Sequence, residues 1–143
     1  MANPTPMQPT TSEATARRMI DTAITEARSL GVPVTIVVVD ESGVLKAMSR
    51  MDTAPLVSVQ TAINKAYAAA AIGMPPDDFY AAIESDAAAV AEFATRPGLA
   101  LIAGGLPLVV DSRVAGAIGV AGAMTGAQDR RIAEVAVAQA TPG

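Results

Sequence analysis

Gly104-Gly105-Leu106-Pro107-Leu108-Val109-Val110-Asp111 leads through Ser112 and Arg113 into Val114-Ala115-Gly116-Ala117-Ile118-Gly119-Val120-Ala121-Gly122. A glycine pair opens one apolar run, the polar turn Asp111-Ser112-Arg113 closes it, and the second run carries glycine at positions 116, 119 and 122. Residues 106–110 and 114–121 therefore read as the two strands of a hairpin. Strands disfavour glycine, which packs nothing and loses much entropy on folding. A strand with glycine at every third residue implies that something comes close to its backbone: a ligand, a helix or another subunit.

Upstream, Thr10 and Glu13 have the spacing of a capping box. Met19, Ile20, Ala23, Ile24, Ala27 and Leu30 then recur at helical spacing until Gly31 and Pro33 stop the helix. Residues 34–39 form a β-branched run, Asp40-Glu41-Ser42-Gly43 is a turn, and 44–51 alternates loosely, so a second hairpin is expected with its first strand central in a sheet. Asp52 or Thr53 can cap a second helix with Leu56, Val59, Ile63, Ala66 and Ala70 on its inner face, and Gly73 to end it. Asp77 can cap a short third helix, residues 87–94 read as helical too without adding a separate element to the order, and Arg96-Pro97-Gly98 breaks the chain. Residues 99–103 read as a short strand before the glycine pair, and Gly126 opens a last helix that frays near Thr141, Pro142 and Gly143. The order α-β-β-α-α-β-β-β-α, with hairpins in place of crossovers, implies an α+β domain whose mostly antiparallel sheet is flanked by helices.

The 143 residues suffice for one domain, expected over 12–143 behind a flexible tail at 1–11. A net charge of -4, with ten scattered Lys and Arg, argues against a nucleic-acid partner. No apolar run is long enough to span a membrane, and the Pro- and Thr-rich start lacks a signal-peptide pattern, so a cytoplasmic location is expected. There is no Cys and no His, which excludes disulfides, thiolate chemistry, Ser-His-Asp triads and the usual zinc sites; no metal site is expected.

Any chemistry must then fall to carboxylates, Lys, Arg, hydroxyls and backbone groups. Gly104 and Gly105, ahead of Leu106, could present amides to an anion or a developing oxyanion; the plain alternative is a tight turn into a strand. Arg50 could grip a carboxylate through a bidentate pair. Beside it, Asp52 either moves a proton or only complements a helix N-terminus, worth about 0.3–1 kcal/mol. Lys65 and Asn64 lie on the second helix either on a solvated face or turned into a pocket or subunit interface. Glu41 is a further proton-moving candidate. Asp129 reads as helix-dipole compensation, and Arg130 and Arg131 as solvated.

Taken in order, Ala16-Arg17-Arg18-Met19-Ile20, Leu30-Gly31-Val32-Pro33-Val34, Asp40-Glu41-Ser42-Gly43, Arg50-Met51-Asp52-Thr53-Ala54, Lys65-Ala66, the Gly104 to Leu108 segment and the Gly116 to Gly122 segment resemble the GlcG/HbpS family. These are small haem-binding or haem-degrading-type domains, also found fused to PduO-type corrinoid adenosyltransferases. The resemblance spans about residues 11–140, and the order and spacing of the motifs are more specific than any one of them. It implies a profilin-like α/β fold with an antiparallel five-stranded sheet, self-assembly from dimers to octamers, and haem as a cofactor in some members. Two departures matter. Without histidine, haem cannot be histidine-ligated, leaving Met, Tyr, Lys or threonine contacts; and Ala121 replaces a serine common in the family.

Three functions follow. One is an oligomeric small-molecule-binding protein for haem or another planar ligand. The second is a cofactor-independent isomerase, lyase or hydrolase of a small organic acid. There Arg50 holds the carboxylate, the Gly104 and Gly105 amides stabilise an oxyanion, and Asp52, Glu41 or Lys65 moves a proton. The third is a structural oligomerisation module with the glycine strand as its seam.

Overall fold

The computed structural model describes residues 4–140. Its elements are α1 (Glu13–Leu30), β1 (Thr35–Asp40), β2 (Leu45–Arg50), α2 (Val57–Ile72), α3 (Pro76–Ile83), α4 (Ala87–Ala94), β3 (Gly105–Val110), β4 (Arg113–Ala121) and α5 (Gly126–Ala140). The four strands form one antiparallel sheet in the order β2-β1-β4-β3, so β1 is central as its apolar faces required. The fold is α+β, with four strands among the described residues where five are expected. Residues 99–103 make no backbone hydrogen bond to a strand; they bend towards the turn that delivers Gly104 into β3. An apolar stretch without a ladder partner is a loop whatever its propensity.

Alternation along β1 sends its side chains to two different cores. Ile36 and Val38 join Ile118, Val120, Leu106 and Leu108 against α1 and α5. Val37 and Val39 join Ala117 and Ala121 against the alanines of α2. The β3–β4 hairpin turn lies where predicted but is one residue shorter, Arg113 already opening β4: Asp111 and Ser112 both take left-handed backbone, with φ of 51° and 64°, as a two-residue hairpin turn demands. In the β1–β2 turn, Asp40 Oδ1 accepts from the amides of Ser42 and Val44.

Four local expectations are corrected. The cap of α1 is Ser12, whose Oγ accepts from Thr15 N at 3.1 Å; Thr10 lies too far upstream of Glu13 and bonds Glu41 instead. The cap position of α2 is held by Leu56 with no side-chain hydrogen bond, so neither Asp52 nor Thr53 serves, and Pro75 rather than Asp77 precedes α3. The expected tail is partly docked: Gln8 Nε2 donates to Val114 O, and buried Thr11 donates to Ala115 O at 2.8 Å. The expected fraying at Thr141, Pro142 and Gly143 lies outside the described residues, as do residues 1–3 of the tail. Among the described residues, no helix is long and apolar enough to cross a membrane.

The inner face of α2 is the expected one only in part: Ala66 and Ala70 are buried and Ile63 packs against the same core, but the face extends to residues not expected on it. Leu56 is exposed, while Ser58, Ala62, Lys65, Ala66 and Ala69 are buried. Glycine in the sheet explains the choice. Gly119 and Gly105 sit opposite one another in the β3–β4 register. A Cβ on Gly119 would lie 2.1 Å from Ala62 O, and one on Gly105 2.5 Å from Lys65 O. The bare strands admit the helix backbone itself, and only an alanine-lined face fits that close.

Candidate functional site

The close approach of α2 carries Lys65 into the interior. Its Nζ donates to Val120 O at 2.9 Å and to Asp129 Oδ2 at 3.0 Å, with 2% of the side chain exposed. The other carboxylate oxygen of Asp129 accepts from Ala123 N at 3.0 Å. Asp129 is thus the counter-ion of Lys65, more than the dipole complement expected of it, and Lys65 is not on a solvated face. Gly104 is the third member. It holds φ +126°, and a Cβ there would lie 2.8 Å from Lys65 Nζ and 2.4 Å from Val120 O. Lys65 and the backbone of α2 therefore fill the space over Gly104 and Gly105, and Leu106 turns into the opposite core.

The remaining candidates lie elsewhere. Arg50 ends β2 and Gly105 begins β3, the two opposite edges of the sheet. Three strand spacings of about 4.8 Å put them roughly 14 Å apart. Arg50 donates from Nε and Nη2 to Ala54 O at 3.1 and 2.8 Å, and with Asp52 it lines a cleft of about 380 Å³ beside α1. Glu41 occupies the turn at the far end of β2, bonded by Thr10. Asn64 accepts from Gln60 on the same helix. Of the proposed catalytic and ligand-binding residues, the structure brings together Lys65, Gly104 and Gly105, and separately Arg50 and Asp52.

A second cleft, of about 480 Å³, has a different character. It is lined by Tyr67, Phe79, Phe93, Arg96, Leu99 and neighbouring residues of α2, so three of the four aromatic side chains in the chain meet there. Phe79 and Phe93 pack edge to face, with ring centroids 5.0 Å apart and planes at 89°. The Arg96 guanidinium lies 4.6 Å above the Phe93 ring and pairs with Glu92. The Tyr67 ring is seated between two glycines: a Cβ on Gly43 would meet it at 2.8 Å, and one on Gly98 at 3.7 Å. The Tyr67 hydroxyl has no hydrogen-bond partner among the described residues. The cleft volume falls within the range of small-molecule sites, about 300–1,000 Å³.

Sequence reasoning misses this site because so few aromatics suggest no wall for a planar ligand. A usable signal is present nonetheless. All four aromatics of the chain fall within 67–93, just ahead of Arg96-Pro97-Gly98.

Helix α3, which carries Phe79, is anchored from across the molecule. Arg130 Nη1 donates to Asp77 Oδ2 at 2.7 Å and to Asp78 Oδ1 at 2.8 Å, so Arg130 is not the solvated residue expected. These hydrogen bonds, Asp78's first and Asp77's second, hold the guanidinium proton still more firmly than usual.

A four-stranded antiparallel sheet with α1 and α5 on one face and α2 on the other defines the class: a small α+β domain of the HbpS kind. The family model of "haem degrading protein HbpS-like" matches residues 12–138, and the chain belongs to that family. It is 33% identical over 125 residues to an uncharacterized 15.0 kDa protein of Citrobacter freundii, covering 87% of each chain. It is 35% identical over 109 residues to Escherichia coli GlcG, covering 76% of this chain and 79% of the relative. Among solved structures, Klebsiella pneumoniae protein ORFY superposes with a TM-score of 0.88 at 26% identity, covering 98% of this chain and 97% of that one. The haem complex of PduOC superposes with a TM-score of 0.83 at 28% identity, covering 92% and 95%.

Proposed function

We propose that this chain is a small-molecule-binding protein whose ligand is a planar, anionic aromatic cofactor of the haem class, held in the Tyr67–Phe79–Phe93–Arg96 cleft without histidine. The observation that carries the reading is the gathering of three of only four aromatic side chains around one cleft with an arginine at its edge. Family membership and the likeness to a haem complex support it.

The residues present fit such a group. Aromatic rings and Leu99 provide faces for a flat ring system, and Arg96 offers hydrogen bonds to a propionate carboxylate. Tyr67 offers a phenol with no other partner, and tyrosinate is an established oxygen ligand of haem iron. When bound, haem would supply an iron centre whose reactivity that oxygen ligand tunes. The domain acts as an assembly of copies in this reading, and the apolar side chains exposed on edge strands β2 and β3, Leu45 and Val109, are surfaces that copies could cover.

Titration with haemin tests the proposal. A saturable Soret band is expected. Tyr67→Phe should alter the charge-transfer bands while leaving the fold intact, and Phe93→Ala should weaken binding by at least about tenfold, the equivalent of losing one buried aromatic contact. A spectrum indistinguishable from free haemin at saturation overturns it, as does a Tyr67→Phe spectrum identical to that of the parent.

A further inference from the structure

On the opposite edge of the sheet, α1 and the end of β2 frame the cleft of about 380 Å³. Ile24 and Met51, both packed against the core, contribute its apolar part. Its polar part is Arg28, Ser49, Arg50 and Asp52. Arg28, Ser49 and Asp52 have no side-chain partner among the described residues. Arg50 is engaged on one side only. Nε and Nη2 are pinned to Ala54 O, and a guanidinium has five N–H groups, so the Nη1 edge is left over in a fixed orientation. Holding a donor in place before the ligand arrives is what gives a small site its affinity.

We infer that this cleft is a second binding site, for a small organic carboxylate, with Arg28 and the free edge of Arg50 as the pair of guanidiniums and Ser49 as an added hydroxyl donor. The charge balance selects among anions. Two arginines against Asp52 leave one net positive charge, enough for a monocarboxylate, whereas a phosphate dianion would meet Asp52 with its second charge uncompensated. Ile24 and Met51 add an apolar wall, which favours a short carbon chain over an inorganic ion. The site does not depend on the haem-type reading, because it shares no residue with the aromatic cleft.

The test is a titration of the full chain with butyrate, acetate and inorganic phosphate in turn, followed by NMR of the amides of residues 49–52 and of the arginine Nε–H signals. Saturable shifts are expected at millimolar butyrate, weaker ones for acetate and weaker still for phosphate. Arg28→Ala should raise the butyrate Kd by about tenfold or more, as for loss of one charge-assisted hydrogen bond. Because Arg50 also supports Ala54, Arg50→Lys rather than Arg50→Ala reads its role, and it too should weaken butyrate. Asp52→Asn should move the preference towards phosphate. Shifts that do not saturate, or an Arg28→Ala chain that binds butyrate as the parent does, overturn the site. Phosphate bound more tightly than butyrate by the parent overturns the charge argument. Haemin binding should be unchanged in Arg28→Ala, so a failure here and a failure of the haem-type reading are separable.

Discussion

Lys65 Nζ and Asp129 Oδ2 stand 3.0 Å apart in the interior, joining the middle of α2 to the first turn of α5 across the end of β4. Neither charge has water to fall back on. Removing one partner of such a pair costs about 3–5 kcal/mol, because the other charge is left buried and uncompensated. Lys65→Met should therefore lower stability by that order in urea denaturation. Asp129→Asn retains an oxygen for Ala123 N, so the Lys65→Met/Asp129→Asn double variant should recover much of the loss. Strictly additive effects would show that the two charges do not depend on each other.

Gly119 marks the point where α2 lies on bare sheet. A methyl group there would sit 2.1 Å from Ala62 O and 2.6 Å from Ala66 N, so a side chain displaces helix backbone rather than a flexible terminus. Overpacking commonly costs about 1–3 kcal/mol, and Gly119→Ala should reach or exceed the upper end. The measurement is thermal unfolding at several protein concentrations. A loss independent of concentration is expected, since the crowding lies within one chain; a loss seen only through subunit dissociation would instead make the strand an intersubunit seam.

Arg130 ties Asp77 and Asp78 of α3 to α5, and α3 holds Phe79 against Phe93. Arg130→Ala removes hydrogen bonds to charged groups, worth about 1.5–3 kcal/mol each before solvent exposure reduces them. Its effect should appear at the aromatic cleft as weaker haemin binding, although Arg130 does not line that cleft. High salt should reproduce part of the effect in the parent chain.

Thr11 fastens the N-terminal segment by donating to Ala115 O, and its Oγ1 occupies the space a Cβ on Gly116 would need. Thr11→Val leaves that carbonyl without its donor in a buried setting, a loss of about 1–3 kcal/mol. Limited proteolysis should then cut ahead of α1 sooner than in the parent, while unfolding of the sheet core changes less. Equal cleavage rates would show that other contacts hold the segment.

Much of this protein can be read locally. The turn residues Asp40 to Gly43 and Asp111-Ser112, the left-handed cap at Gly31 and the β-branched run of β1 have their conformations dictated by near neighbours, and the hairpins follow from them. Residues 99–103 show the limit, since a strand exists only where a partner supplies its hydrogen bonds. The burial of α2 shows it again. Periodicity places Leu56 inward and leaves Lys65 open, but the glycines of β3 and β4, three and four elements later, admit the alanine-lined helix backbone, and Lys65 is buried as a consequence.

The glycine-rich hairpin by itself determined an antiparallel α+β sheet with something pressed against its backbone, because glycine spacing and turn chemistry are short-range properties. Tertiary structure alone decided that the pressing element is α2, and that Lys65 meets Asp129 while Arg50 stays at the other edge. It alone gathered Tyr67, Phe79 and Phe93 around one cleft. Those pairings depend on strand order and helix rotation, which are set by the fit of whole surfaces and leave no mark at any single position in the chain.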